Sequence, residues 1–163
     1  MNKLFLPLIC LVFESSLSAL GFVTWSFLDG PLALVVMFTF AHSLDTRSFI
    51  LYAAWCGLCR DLFGLDVFGV MTLSYIAIAF LISIATRFIN RQNGFFVFPM
   101  VFVAAWLHPF LAVWVKAFFA ETAVSPSSGW FFVRSFVQAV GTTVLAIPLY
   151  FLSRSCGWEL TES

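Results

Sequence analysis

The sequence predicts an all-α fold, a polytopic membrane bundle of about six transmembrane helices, and two observations carry that prediction. First, 62% of the 163 residues are hydrophobic and 10% are charged, whereas a soluble domain needs about 25% charged residues to solvate its surface. Mean hydropathy is +1.03. Second, the apolar residues form long continuous runs separated by short polar or turn segments. Membrane barrels are built instead from alternating stretches of about ten residues. Helices satisfy their own backbone polar groups where no water is available. A span takes roughly 20 apolar residues, so six would use about 120 positions and leave about 40 for connections and tails. The expected organisation is a single transmembrane domain over residues 1–163, without room for a soluble catalytic domain.

Run one extends from about Leu4 to Trp25 and ends at Leu28-Asp29-Gly30-Pro31. Lys3 followed by apolar residues has the look of a signal peptide. Glu14 interrupts the run, however, the small residues around Ser16 and Ser18 make a weak cleavage site, and more spans follow, so a retained first span is expected. Run two, Leu32 to Ser43, is too short to cross upright unless Pro31 and Leu44-Asp45-Thr46 each add a turn. A five-span arrangement follows if this run is re-entrant. Run three, Ser48 to Leu65, carries Arg60 and Asp61, and run four, Val67 to Thr86, carries no charge. Runs five and six are Gly94 to Phe119 and Gly129 to Ser153. Pro99, Pro109 and Pro148 lie inside these two runs and are expected to bend them, because each removes a backbone donor and crowds the preceding turn.

Eight Lys/Arg balance eight Asp/Glu, so no global field recruits nucleic acid or an acidic substrate. Their placement is informative. A cytoplasmic N-terminus puts Lys3, Arg47, Arg87, Arg91 and Arg154 on the inner side and Asp29, Asp66 and Glu121 in outer connections. That arrangement agrees with the positive-inside rule, although Arg60, Lys116 and Arg134 then fall in the outer thirds of spans. Both termini are expected in the cytoplasm.

The most enzyme-like signal is Cys56-Gly57-Leu58-Cys59. A membrane disulfide relay needs a second pair, and Cys10 and Cys156 are far apart on the opposite side, so these thiols read as small buried hydrophobes. His42 and His108 are single histidines with no carboxylate or thiol at ligand spacing, and no metal is expected. His108-Pro109 reads as a kinked segment whose imidazole bonds a freed carbonyl, with a proton relay as the sharper alternative. Glu14 is an acidic group within a span, and it divides between a packing or partner contact and a transport role. Arg134, Gln138, Gly141, Thr142 and Leu145 share one stripe of the last span, suited to interhelical or partner contacts. No nucleophile, base and orienting group come together and there is no Gly-rich phosphate loop, so neither enzymatic activity nor a cofactor is expected.

The remaining constellation runs from Gly57 to Gly69. A helix runs into Asp61, the chain turns through Gly64 to Asp66, and a new helix starts near Gly69. Asp66 is suited to cap that start, since a carboxylate accepts free amide hydrogens and complements the helix dipole. Gly57 and Gly69 allow close helix approach. The pattern of Gly57, three residues, Asp61, seven residues and Gly69, followed by the apolar Val70 to Ile84, resembles the central motif of the rod shape-determining protein MreD family. The specific likeness covers roughly Trp55 to Leu81, and elsewhere it is one of length and hydropathy. Arg60 departs from the pattern, where an apolar residue is usual, and Asp66 or a partner's acid is its expected counter-ion.

The resemblance implies a non-enzymatic scaffold subunit of the bacterial inner membrane. Such a subunit associates with MreC and couples the cytoplasmic MreB filament to the peptidoglycan polymerase and transpeptidase of the elongation complex, within membrane lipid. The family also resembles, in fold, the substrate-binding subunits of energy-coupling-factor vitamin transporters. That supplies an alternative expectation, a small-molecule-binding transporter subunit with Arg60, Asp61, Lys116, Glu121, Trp130 and Arg134 around an outer cavity.

Overall fold

The apolar runs fold as six helices in the computed structural model, which describes residues 6–19, 28–41, 46–63, 67–86, 96–120 and 129–155. They are α1 (Leu6–Ala19), α2 (Gly30–Ala41), α3 (Thr46–Phe63), α4 (Val70–Ala85), α5 (Val97–Ala120) and α6 (Gly129–Ser155). Among the described residues there is no strand. Lys3, His42, Asp66, Arg87, Arg91, Glu121 and Cys156 lie outside the described residues.

Two of the six helices are long and apolar enough to cross a membrane, over Val97–Phe119 and Gly129–Phe151. At 1.5 Å per residue, α5 and α6 measure about 36 and 40 Å, against a hydrocarbon thickness of about 30 Å. A core helix of a soluble protein with this composition would be covered by its neighbours. Here only 33% and 22% of the two stretches are buried inside the molecule, and Trp114, Phe118 and Trp130 are 72%, 84% and 75% exposed. Contiguous apolar surface of this kind is rare on a protein that faces water. Pro99 stands near the start of α5, not in its interior. It sits in the first turn, where the missing N–H had no intrahelical acceptor to lose. The helices continue through Pro109 and Pro148.

The shortest helix, α2, sits in the middle. Its sequence, GPLALVVMFTFA, is apolar on every side, which favours burial on every side. Leu32, Ala33, Leu34, Val35 and Val36 are fully buried, and α2 packs on each of the other five helices. Around it lie Phe49, Tyr52 and Ala53 of α3, Ile78 and Ile82 of α4, Val101 of α5 and Ala139 of α6, with Phe38 stacked on Tyr52 at 4.2 Å between ring centroids.

The two glycines of the α3–α4 hairpin serve different purposes. A Cβ on Gly57 would stand 2.5 Å from Thr72 Cα and 2.9 Å from Thr72 N, so this glycine is required by the close passage of a neighbouring backbone. Gly69 has open space around it but a φ of +93°, so there the requirement is conformational. A left-handed residue with a side chain costs roughly 1–2 kcal/mol. Gly69→Ala is therefore expected to lower thermal stability in detergent by that amount and Gly69→Asn by less, because Asn tolerates this conformation. Equal losses from both would contradict the assignment.

Candidate functional site

A helix start leaves its first amide hydrogens without intrahelical acceptors, and two such starts organise the polar groups of this bundle. At α4 the acceptor comes from α3. Asp61 Oδ1 accepts the Met71 N–H at 3.0 Å, and Oδ2 accepts the Thr72 N–H at 3.0 Å and the Thr72 hydroxyl at 2.6 Å. Asp61 thus caps α4, the role expected of Asp66, which lies outside the described residues. Gly57 is one helical turn before Asp61 and abuts the same Thr72. Gly57, Asp61 and Gly69 therefore work together: close approach, cap and chain reversal lock the first turn of α4 onto α3.

At α2 the start is deeper. Asp29, in the connection that leads into α2, is fully buried. Its Oδ1 accepts the Leu32 N–H at 3.2 Å, capping α2, and also accepts the Tyr75 hydroxyl of α4. Its backbone N–H donates to Thr142 Oγ1 of α6 at 3.1 Å. On the remaining side, Asp29 Oδ2 lies 3.2 Å from His108 Nδ1 of α5, and the imidazole packs edge-on to Tyr75 with 5.2 Å between centroids. Because His108 and Thr142 fall near the middles of α5 and α6, α2 begins at mid-length of the two longest helices.

Glu14 adds α1 and α3 to this arrangement. Its Oε1 accepts the Gly30 N–H, the first amide of α2, and its Oε2 pairs with Arg60 Nη1 at 2.5 Å. Arg60 therefore finds a carboxylate inside this chain, on α1, while Asp66, its counter-ion expected from sequence, lies outside the described residues. Asp29 acts electrostatically on both members of this pair. Glu14, Asp29, Arg60, Tyr75, His108 and Thr142 thus form one buried cluster to which α1, the cap of α2, and α3 to α6 each contribute one residue.

Several sequence expectations change accordingly. His108 faces a carboxylate and not the carbonyl freed by Pro109. The stripe on α6 divides: Thr142 is buried in the cluster, Gln138 is half-buried and Arg134 is exposed. Of the residues expected around an outer cavity, Arg60 joins the Glu14 cluster, Asp61 caps α4, Trp130 is exposed, and Glu121 lies outside the described residues. Cys10, Cys56 and Cys59 are free, buried thiols. Tyr75 joins the cluster without having been singled out in the sequence, and Asp29, expected only as a connection residue, is at its centre. One signal for Asp29 was available: Asp followed by Gly-Pro before an apolar run is an N-cap with proline in the first turn.

Fold and site together define an all-helical protein with two membrane-length helices and a polar cluster joining all six. Comparison of the chain with family models, with curated proteins and with solved structures returns no match.

Proposed function

We propose that the chain is a six-span scaffold subunit of a bacterial inner membrane. It would work as the MreD-like partner of MreC, within an elongation complex that links MreB filaments to peptidoglycan synthesis. The observation that carries this reading is the α3–α4 lock. The residues of the MreD-like motif, Gly57, Asp61 and Gly69, hold two helices together, as befits a structural element that presents helix faces to other membrane proteins. The exposed apolar faces of α5 and α6 suit lipid and partner helices. In this reading both termini are cytoplasmic, and α2 supplies part of the second crossing.

A second reading, the small-molecule-binding transporter subunit, draws support from one feature. A helix that starts inside the bundle beside ionisable groups is a setting in which transporters hold solutes, and α2 starts beside Asp29 and His108. Affinity purification of the tagged chain from native membranes separates the two. Co-purification of MreC is the expected result, and an energy-coupling ATPase module in its place would transfer the protein to the transporter class.

A further inference from the structure

The buried cluster is unbalanced in charge. Glu14 and Asp29 contribute two negative charges, Arg60 one positive, and a neutral His108 none. Asp61 on α3 and Lys116, which acts on His108 from farther along α5, are opposite in sign and leave the balance unchanged. Tyr75 on α4, Thr142 on α6, Cys10 on α1 and Cys56 on α3 are neutral. Among the described residues, one negative charge is left over in a part of the molecule shielded from water, where groups neutralise themselves before they remain ionised and uncompensated.

A second observation locates the compensation. His108 is 4% exposed, and its Nε2 has no hydrogen-bond partner. Its Nδ1 is within ion-pair range of Asp29 Oδ2, at 3.2 Å, and neither atom has a hydrogen bond. This carboxylate oxygen and this imidazole are the unfinished groups of an otherwise satisfied cluster.

We propose that Asp29 and His108 form a binding site for one proton, taken up from water and held between Oδ2 and Nδ1. Uptake converts the neutral imidazole to imidazolium, brings the cluster to neutrality and joins α5 to the cap of α2 by a charge-assisted contact. Release returns the proton to water and leaves the α2 start facing α5 with an uncompensated carboxylate. The packing of the central helix thereby becomes proton-dependent. This inference rests on the cluster alone and is independent of whether the protein is a scaffold or a transporter subunit.

The test uses the full chain carrying His42→Gln, so that His108 is the sole histidine, in lipid nanodiscs in sodium-free buffer. Nitrogen-15 NMR reads the imidazole and infrared spectroscopy reads protonated carboxyl groups. At pH 7 the expected result is a His108 imidazolium, lost when Asp29→Asn balances the cluster without a proton. A neutral His108 with all carboxyls ionised would overturn the proposal. So would a protonated carboxyl that disappears in Glu14→Gln but persists in Asp29→Asn, or a signal that follows sodium concentration in place of pH. Should Asp29→Asn fail to fold, His108→Gln gives the answer. The proton is then expected on Asp29, as a protonated-carboxyl band that the parent lacks, and no such band would also overturn the proposal.

Discussion

Arg60→Ala is expected to reduce stability by about 3–5 kcal/mol, the usual penalty for removing one partner of a buried ion pair. The loss arises from what remains. Glu14 stays buried against the start of α2 with its Oε2 unpaired, close to a second carboxylate at Asp29. Glu14→Ala removes one carboxylate partner of the guanidinium and also orphans the Gly30 N–H. The double variant Glu14→Leu/Arg60→Met removes both charges and fills their space, and such replacements of buried pairs are often neutral. Recovery here should be incomplete, because the unpaired Gly30 amide still costs about 1–3 kcal/mol. Thermal unfolding in a fixed detergent, with the fraction of monodisperse protein as a second readout, gives the order parent, double variant, single variants. A double variant no more stable than either single one would show that the two charges are not coupled.

Gly57→Ala should also be severe, at about 2–5 kcal/mol. Its methyl would meet backbone atoms of Thr72 and the Met71 carbonyl, and backbone cannot rotate aside as a side chain can. Relief requires α3 and α4 to separate. That movement draws Asp61 away from the Met71 and Thr72 amides, so the overpacking cost is joined by the loss of a cap. Amide hydrogen exchange distinguishes this mechanism from general destabilisation, with Met71 and Thr72 expected to lose protection well beyond the rest of α4. Unchanged exchange at those two amides would sink the account, whatever the melting temperature. Gly69→Ala, which strains only its own φ, should leave the same amides protected.

Much of the architecture was legible as hydropathy. Each of the six apolar runs became a helix, and for runs two to six the ends lie within a few residues of the expected ones, because the interruptions are Gly, Pro and charged residues that end helices for local reasons; the expected end of the first run lies outside the described residues. The α3–α4 hairpin was legible for the same reason, its glycines and Asp61 standing close together in the chain. The cluster was not. Asp29 and Tyr75 are 46 residues apart, and Asp29 and Thr142 are 113 apart, and no periodicity in one sequence announces such a meeting. Asp29 was further disguised by the Gly-Pro that follows it, equally at home in a surface turn. His108 was noticed, but adjacent Pro109 offered a local partner that the fold did not use. Depth was the hidden variable, since sequence distance from the end of an apolar run does not say how far a short helix sits below its neighbours.

The central position of α2 has a consequence for the order of synthesis. The Asp29 carboxylate and the helix it caps are made early, while His108 and Thr142, which meet it from α5 and α6, emerge only after most of the chain. In the proposed threading, a segment of twelve residues is too short to be held by lipid alone. The nascent chain therefore carries a helix without a final berth until the C-terminal hairpin arrives.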